Sequence, residues 1–172
     1  MKIKTLKVGP LETNCYILIK NNQSIVIDPG DDFQIIQKEI EGDLLGILIT
    51  HSHFDHIGAL TSLKEYYNSP VYSYKNIVSN KLKIKDFNFE IIKNPGHSFD
   101  SISFLIEEKL FSGDFIFKGT IGRTDLPTGD MNQMKNSINN ILNYSDNLII
   151  YPGHGEITTL QNERRVLNYF LT

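Results

Sequence analysis

The sequence predicts an α/β (α+β) fold in which two mixed sheets pack together with helices outside. Three observations carry this expectation. Short alternating or continuously apolar runs mark strands, other segments have helical spacing, and hairpins lead into strand–helix alternation that occurs twice. Helices in that order must bury their apolar stripes against sheets. The 172 residues fit a single domain spanning 1–172. At this size a fold hides roughly 70% of its unfolded-chain surface, enough for a core without staples.

The elements follow in order. Residues 3–8 alternate as a half-buried strand does, and residues 15–19 and 24–27 flank Asn21-Asn22 as a hairpin. Asp28-Pro29-Gly30 stops the third strand. Asp31-Asp32 open a segment, residues 33–40, with apolar residues at 33, 36 and 40. That spacing is helical, and the two acids suit a helix N-terminus. Residues 44–49 form a continuously apolar run, a buried strand, and residues 56–67 place Ile57, Leu60, Leu63 and Tyr67 on one helical face. Strands are expected at 70–74, 87–92, 101–106 and 110–111, with Glu107-Glu108-Lys109 as a turn. Helices at 131–142 and 159–171 bracket a strand at 147–151. Pro-Gly-His occurs after a strand at both 95–97 and 152–154, a weak internal echo.

Composition narrows the function classes. Seventeen Lys plus Arg against twenty Asp plus Glu give a net charge of -3, which argues against a nucleic-acid binder drawn by phosphate attraction. The N-terminus lacks the continuous apolar segment of a signal peptide, and no apolar run nears the ~20 residues that cross a bilayer. A cytoplasmic location without a membrane partner is therefore expected. Cys15 is the single cysteine, which excludes an internal disulfide framework and a cysteine-cluster metal site.

The five His stand at 51, 53, 56, 97 and 154. Thr50-His51-Ser52-His53-Phe54-Asp55-His56 begins where a buried strand ends and stops where a helix starts. Four potential ligands in six residues are not core formers, and a strand-end loop is where a fold presents reactive groups. In an extended stretch the rings of His51 and His53 leave the same face. Asp55 and His56 are displaced toward a second point, an arrangement suited to two neighbouring metal ions. His97, Asp114 and His154 also follow strands, each beside a glycine that lets backbone pack close.

Along nearly its whole length the sequence resembles the metallo-β-lactamase superfamily, and within it the glyoxalase II-like (hydroxyacylglutathione hydrolase-like) short bacterial hydrolases. The matching stretches are Asn14-Cys15-Tyr16, Ile27-Asp28-Pro29-Gly30, the 51–56 motif, Pro95-Gly96-His97-Ser98, Phe111-Ser112-Gly113-Asp114, Gly122-Arg123-Thr124-Asp125, Tyr151-Pro152-Gly153-His154-Gly155 and Glu163-Arg164. The resemblance implies a four-layer αββα sandwich with a binuclear site at one sheet edge. It implies that His51, His53 and His97 hold one ion, that Asp55, His56 and His154 hold the other, and that Asp114 bridges them. Arg123 falls where those enzymes place a glutathione-contacting Lys and is a candidate for binding an anionic substrate group. An alternative for Arg123 is a structural pair with Asp125 or Asp130. The sequence departs from the family at Ser98-Phe99-Asp100, where relatives commonly read Thr-Pro-Gly, and at Asn168-Tyr169, where an Asn-Pro is often found. Full-length glyoxalase II continues into a helical domain that supplies much of the glutathione grip, and the resemblance, which covers only the part before it, leads to the expectation that this domain is absent here. That leaves a surface another subunit could cover, so an oligomer is possible.

Imidazole and carboxylate ligands without thiolate suit two divalent ions, zinc in the first instance, with iron or manganese as alternatives. Metal lowers the pKa of bound water toward ~7, so the expected activity is hydrolysis of a small-molecule thioester of the S-lactoylglutathione type by a hydroxide bridging two metal ions. A thiolate leaving group, pKa ~8.5, needs little acid help. Asp55 is expected to orient the hydroxide as well as bind metal. Asp28 is expected to fix a ligand His from behind, with Thr50 and Ser52 in similar supporting roles. The alternative is an oxidoreductase of the mononuclear iron persulfide dioxygenase type, which shares the scaffold and the motif. A nuclease is disfavoured by the charge, and a non-enzymatic scaffold by the filled ligand positions.

Overall fold

The computed structural model describes residues 1–172. Its first sheet is built from β1 (Lys2–Val8), β2 (Thr13–Lys20), β3 (Gln23–Ile27), β4 (Asp43–Leu48) and β5 (Val71–Tyr72), in that spatial order. The first three strands are antiparallel, and β4 and β5 join in parallel. Asn21 and Asn22 both turn through left-handed backbone, φ 53° and 56°, which two-residue hairpin turns require and Asn tolerates. The parallel step from β3 to β4 needs a crossover, supplied by α1 (Phe33–Glu39).

The second sheet contains β6 (Lys81–Ile84), β7 (Phe87–Lys93), β8 (Ile102–Ile106), β9 (Lys109–Gly113), β12 (Ile149–Pro152) and β13 (Thr158–Thr159), in the order β13-β12-β9-β8-β7-β6. A small hairpin of β10 (Ile116–Phe117) and β11 (Thr120–Ile121) follows β9. Between the sheets, Leu18, Ile25, Ile27 and Leu48 meet Phe87, Phe89, Phe104 and Phe111. Each such burial contributes about 1.5–3 kcal/mol. Outside the first sheet lie α1, α2 (Phe54–Ile57) and α3 (Leu60–Tyr67), where Ile36 and Leu63 pack on Ile17, Val26 and Ile47. Outside the second lie α4 (Met131–Ile141) and α5 (Leu160–Leu171), where Met134, Ile138 and Leu167 pack on Leu110 and Ile150. The layers therefore run α-β-β-α, as expected. No helix is long and apolar enough to cross a membrane.

Several local expectations change. The helix expected over 56–67 is two helices, α2 and α3, broken at Gly58-Ala59. Gly58 and Ala59 donate their backbone N–H groups to the carbonyls of Gly30 and Pro29, and a Cβ on Gly58 would sit 2.2 Å from the Gly30 oxygen. Contact with the 28–30 turn overrides helical continuity. Asp32 precedes α1 but does not cap it: its Oδ2 accepts from the N–H of Gly9. The strand at 70–74 shrinks to Val71–Tyr72 because Ser73 and Asn76 close a turn on each other. The strand at 147–151 starts later, at Ile149. Strand β6, the β10–β11 hairpin and β13 were not anticipated; they are short, and Lys81 and Lys83 interrupt the apolar pattern of β6.

Candidate metal centre

All seven candidate ligands meet where strand ends of the two sheets face each other. His51 and His53 lie on the stretch that leaves β4, and Asp55 and His56 on the single turn of α2. His97 follows β7, Asp114 follows β9, and His154 follows β12. Gly96 makes the first of these turns possible, since a Cβ there would lie 2.5 Å from the Met134 Cα. Ligand atoms form three groups, each within 4.8 Å: His51, His53 and His97; Asp55, His56 and His154; and His51, His56 and Asp114.

In the first group, Nδ1 of His53 lies 3.0 Å from Nε2 of His51 and 2.9 Å from Nε2 of His97. In the second, Oδ2 of Asp55 lies 3.2 Å from Nε2 of His154 and 3.6 Å from Nε2 of His56. Asp114 straddles the two. Its Oδ1 is 3.3 Å from Nε2 of His56, while its Oδ2 is 3.5 Å from Nε2 of His97 and 3.6 Å from Nε2 of His154. Nε2 of His56 and Oδ1 of Asp114 are buried, yet neither makes a hydrogen bond. Leaving such atoms unpaired costs about 1–3 kcal/mol each. A cation at this point satisfies both, and the donor set of imidazole nitrogen and carboxylate oxygen suits a divalent ion.

Partners behind the ligands orient them. Nδ1 of His56 is 2.9 Å from Oδ2 of Asp28, and the same carboxylate accepts from the N–H of Thr50 at 2.8 Å and its hydroxyl at 2.6 Å. Nδ1 of His97 donates to the carbonyl of Arg123 at 2.8 Å, and Nδ1 of His154 to the carbonyl of Leu11 at 3.1 Å. With Nδ1 protonated, Nε2 is bare and faces the centre. Thr50 Oγ1 also lies 3.1 Å from Nδ1 of His51. Asp100 accepts from the N–H of Ser52 at 3.1 Å and from Ser98 Oγ at 2.7 Å, so the divergent turn after His97 is tied back to the motif loop.

Electrostatics follow the geometry. Burial, with neighbouring imidazoles adding to it, pushes His51 well below the usual imidazole range. Burial alone lowers His56 too, but the carboxylates of Asp28 and Asp114 outweigh it and hold His56 up to about 10. Burial raises Asp55, yet His154, His56 and the Thr13 hydroxyl together hold it well below the ordinary carboxylate range.

The ligands open onto a cavity of about 440 Å³ walled by Leu11, Phe54, Leu126 and Pro127. Arg123 reaches its rim, and its guanidinium makes a two-pronged pair with Asp125 at 2.7 and 2.8 Å. Asp130 instead caps α4, accepting from the N–H groups of Asn132 and Gln133. Sequence reasoning did not identify Thr13, whose hydroxyl donates to Oδ2 of Asp55 at 2.9 Å, nor the carbonyls of Leu11 and Arg123. Backbone acceptors leave no side-chain signature. Thr13 adjoins the matched Asn14-Cys15-Tyr16 stretch, which was the available hint.

The family model described as the metallo-beta-lactamase superfamily matches residues 8–84 and 77–154. The probable metallo-hydrolase YqgX of Bacillus subtilis is 32% identical, with 99% of each chain covered. Hydroxyacylglutathione hydrolase GloC of Haemophilus influenzae is 32% identical over 96% of each. Among solved structures, the BLEG-1 B3 metallo-beta-lactamase has a TM-score of 0.93 and 32% identity, covering 99% of this chain and 100% of that one. ETHE1 from Myxococcus xanthus has a TM-score of 0.89 and 25% identity, covering 99% and 85%. TTHA1623 in a di-iron-bound form has a TM-score of 0.83 and 29% identity, covering 94% and 97%.

Proposed function

This chain belongs to the metallo-β-lactamase superfamily, and from that membership we propose a metal-dependent hydrolase of thioesters of the S-lactoylglutathione type that works with two divalent ions. The observation that carries the thioester is the cavity lining. Its titratable groups are His53, Asp55, His97, Asp114 and His154, all candidate ligands, plus Arg123. No spare general acid stands ready to protonate a leaving group. A thiolate, pKa ~8.5, departs with less acid assistance than an alkoxide or amine, which favours a thioester at such a site. The likeness to a hydroxyacylglutathione hydrolase supports the same class.

His51, His53 and His97 are the residues to hold one ion, Asp55, His56 and His154 the other, and Asp114 both. Bound there, divalent cations supply Lewis acidity, lowering the pKa of water toward ~7 and polarising a carbonyl. The chain does the rest. Asp28 keeps the proton of His56 on Nδ1 and leaves Nε2 free for the centre. Asp55 presents Oδ2 to the centre and is the residue to orient the attacking water. Phe54, Leu11 and Leu126 line the cavity and offer apolar contact to the acyl group. Arg123 offers its guanidinium to an anionic part of the thiol at the expense of its pair with Asp125.

Elemental analysis with a thioester panel tests this. Two ions per chain are expected, zinc first and iron or manganese as alternatives, with hydrolysis abolished by chelation and restored by metal. Full occupancy without turnover on any thioester would refute the proposal. One iron per chain with persulfide-dependent oxygen uptake would support the mononuclear iron persulfide dioxygenase reading instead.

A further inference from the structure

We propose that residues 11–16 form a brace for Asp55 and His154 of the second ligand group, with Thr13 as its positioning residue. The proposal rests on the two-ion reading above and goes beyond it, by assigning which part of the chain sets the second ion's affinity separately from the first.

The contacts of this segment are one-sided. Thr13 Oγ1 donates to Oδ2 of Asp55 at 2.9 Å, and this is the oxygen that faces His154 and His56. The carbonyl of Leu11 takes the Nδ1 proton of His154. The N–H of Asn14 donates to the carbonyl of Gly153 at 2.7 Å, and its side-chain amide donates to the carbonyls of Pro152 and Gly155, each at 3.0 Å. Tyr16 donates its hydroxyl to Pro152 as well, at 2.5 Å. None of these bonds goes to His51, His53 or His97. That group is oriented from elsewhere, by Thr50 and by the carbonyl of Arg123.

Within the brace, Thr13 has the special position. Asp55 sits on a helix of one turn, and Thr13 is the one side chain outside the ligand set that hydrogen-bonds its carboxylate. Thr13 itself is fully buried, and its β-branched side chain has little rotamer freedom. Its hydroxyl is therefore a fixed donor, and a carboxylate oxygen has lone pairs for both that donor and a cation. A group that orients a ligand from behind typically changes metal affinity by ~10–100-fold.

The test is zinc titration of the metal-depleted full chain against a chromophoric chelator, with elemental analysis after dialysis, for wild type, Thr13→Val and Thr13→Ser. Wild type and Thr13→Ser are expected to bind two ions. Thr13→Val is expected to bind the first ion unchanged and the second ~10–100-fold more weakly, with the circular dichroism of the metal-free protein preserved. Should Thr13→Val not fold, Thr13→Ala serves in the same comparison. Second-ion affinity equal to wild type in the folded variant overturns the proposal, as does equal weakening of both ions. A wild type that binds a single ion overturns the two-ion reading itself, and is seen before any variant is compared.

Discussion

Asp28→Asn is the most discriminating change the centre offers. Asp28 has left-handed backbone, φ 50°, which Asn adopts as readily as Asp, so the turn is undisturbed and only the chemistry of one atom changes. The native carboxylate accepts from three buried donors: the N–H and hydroxyl of Thr50 and Nδ1 of His56. An amide has one acceptor oxygen and one donor nitrogen. With the oxygen on the Thr50 N–H, the NH₂ meets Nδ1 of His56 and drives its proton to Nε2, the atom the metal needs. In the opposite orientation, the NH₂ confronts the Thr50 N–H inside the protein. Either way one charge-assisted bond is lost, about 1.5–3 kcal/mol. At about 2–4 °C per kcal/mol for a domain of this size, the metal-free variant should melt roughly 3–12 °C lower. The second ion should bind ~10–100-fold more weakly. Thermal unfolding of the metal-free protein and competitive zinc titration measure the two effects. A variant with wild-type melting and wild-type affinity for both ions would refute the reasoning.

Four further outcomes are expected. The carboxylates of Asp28 and Asp114 favour the protonated form of His56, so protons compete with an ion for its Nε2. Calorimetry in buffers of different ionisation enthalpy should therefore register proton release when metal is added, and no release at any pH contradicts the assignment. The stabilisation that this raised pKa gives the metal-free protein is full below about pH 6.5, the ordinary imidazole value, and is lost progressively as pH rises from there through about 10. Gly153→Ala would place a Cβ 2.2 Å from Oδ1 of Asp114 and 2.7 Å from Cε1 of His56; displacement of this order should lower kcat/KM by ~100-fold, and near-normal turnover would show that the cradle tolerates it. Phe54 walls the cavity while 73% exposed, so Phe54→Ala should remove about 1 kcal/mol of substrate contact, raising KM ~5-fold with kcat unchanged. A fall in kcat instead would place Phe54 in the chemistry.

Four of the seven candidate ligands were legible in the sequence because their chemistry is local: His and Asp crowded at the end of an apolar strand have few other uses, whereas His97, Asp114 and His154 came forward through the family resemblance. The layered fold was legible because the strands of both sheets run apolar on their inner faces. What escaped were features decided between distant segments. The break at Gly58 depends on how close the 28–30 turn approaches, which no periodicity records. Strand β6 pairs with β7 although lysines fill its outward positions, and such charges protect a sheet edge while concealing it. Arg123 was a candidate for its side chain, yet its carbonyl is what touches a ligand.

The meeting of the two sheets at the centre has a thermodynamic consequence. Each candidate ion site draws two ligands from the segment after β4, on the first sheet, and two from the second: His51 and His53 with His97 and the shared Asp114, Asp55 and His56 with His154 and the same Asp114. Neither sheet alone holds a complete set, so an ion bound there acts as a clasp across the sandwich. It binds the docked state and not a state in which the layers have come apart. Free metal at 100 times its dissociation constant would add about 2.7 kcal/mol per site to the closed sandwich. Stripping metal is therefore expected to lower the unfolding temperature of the sandwich.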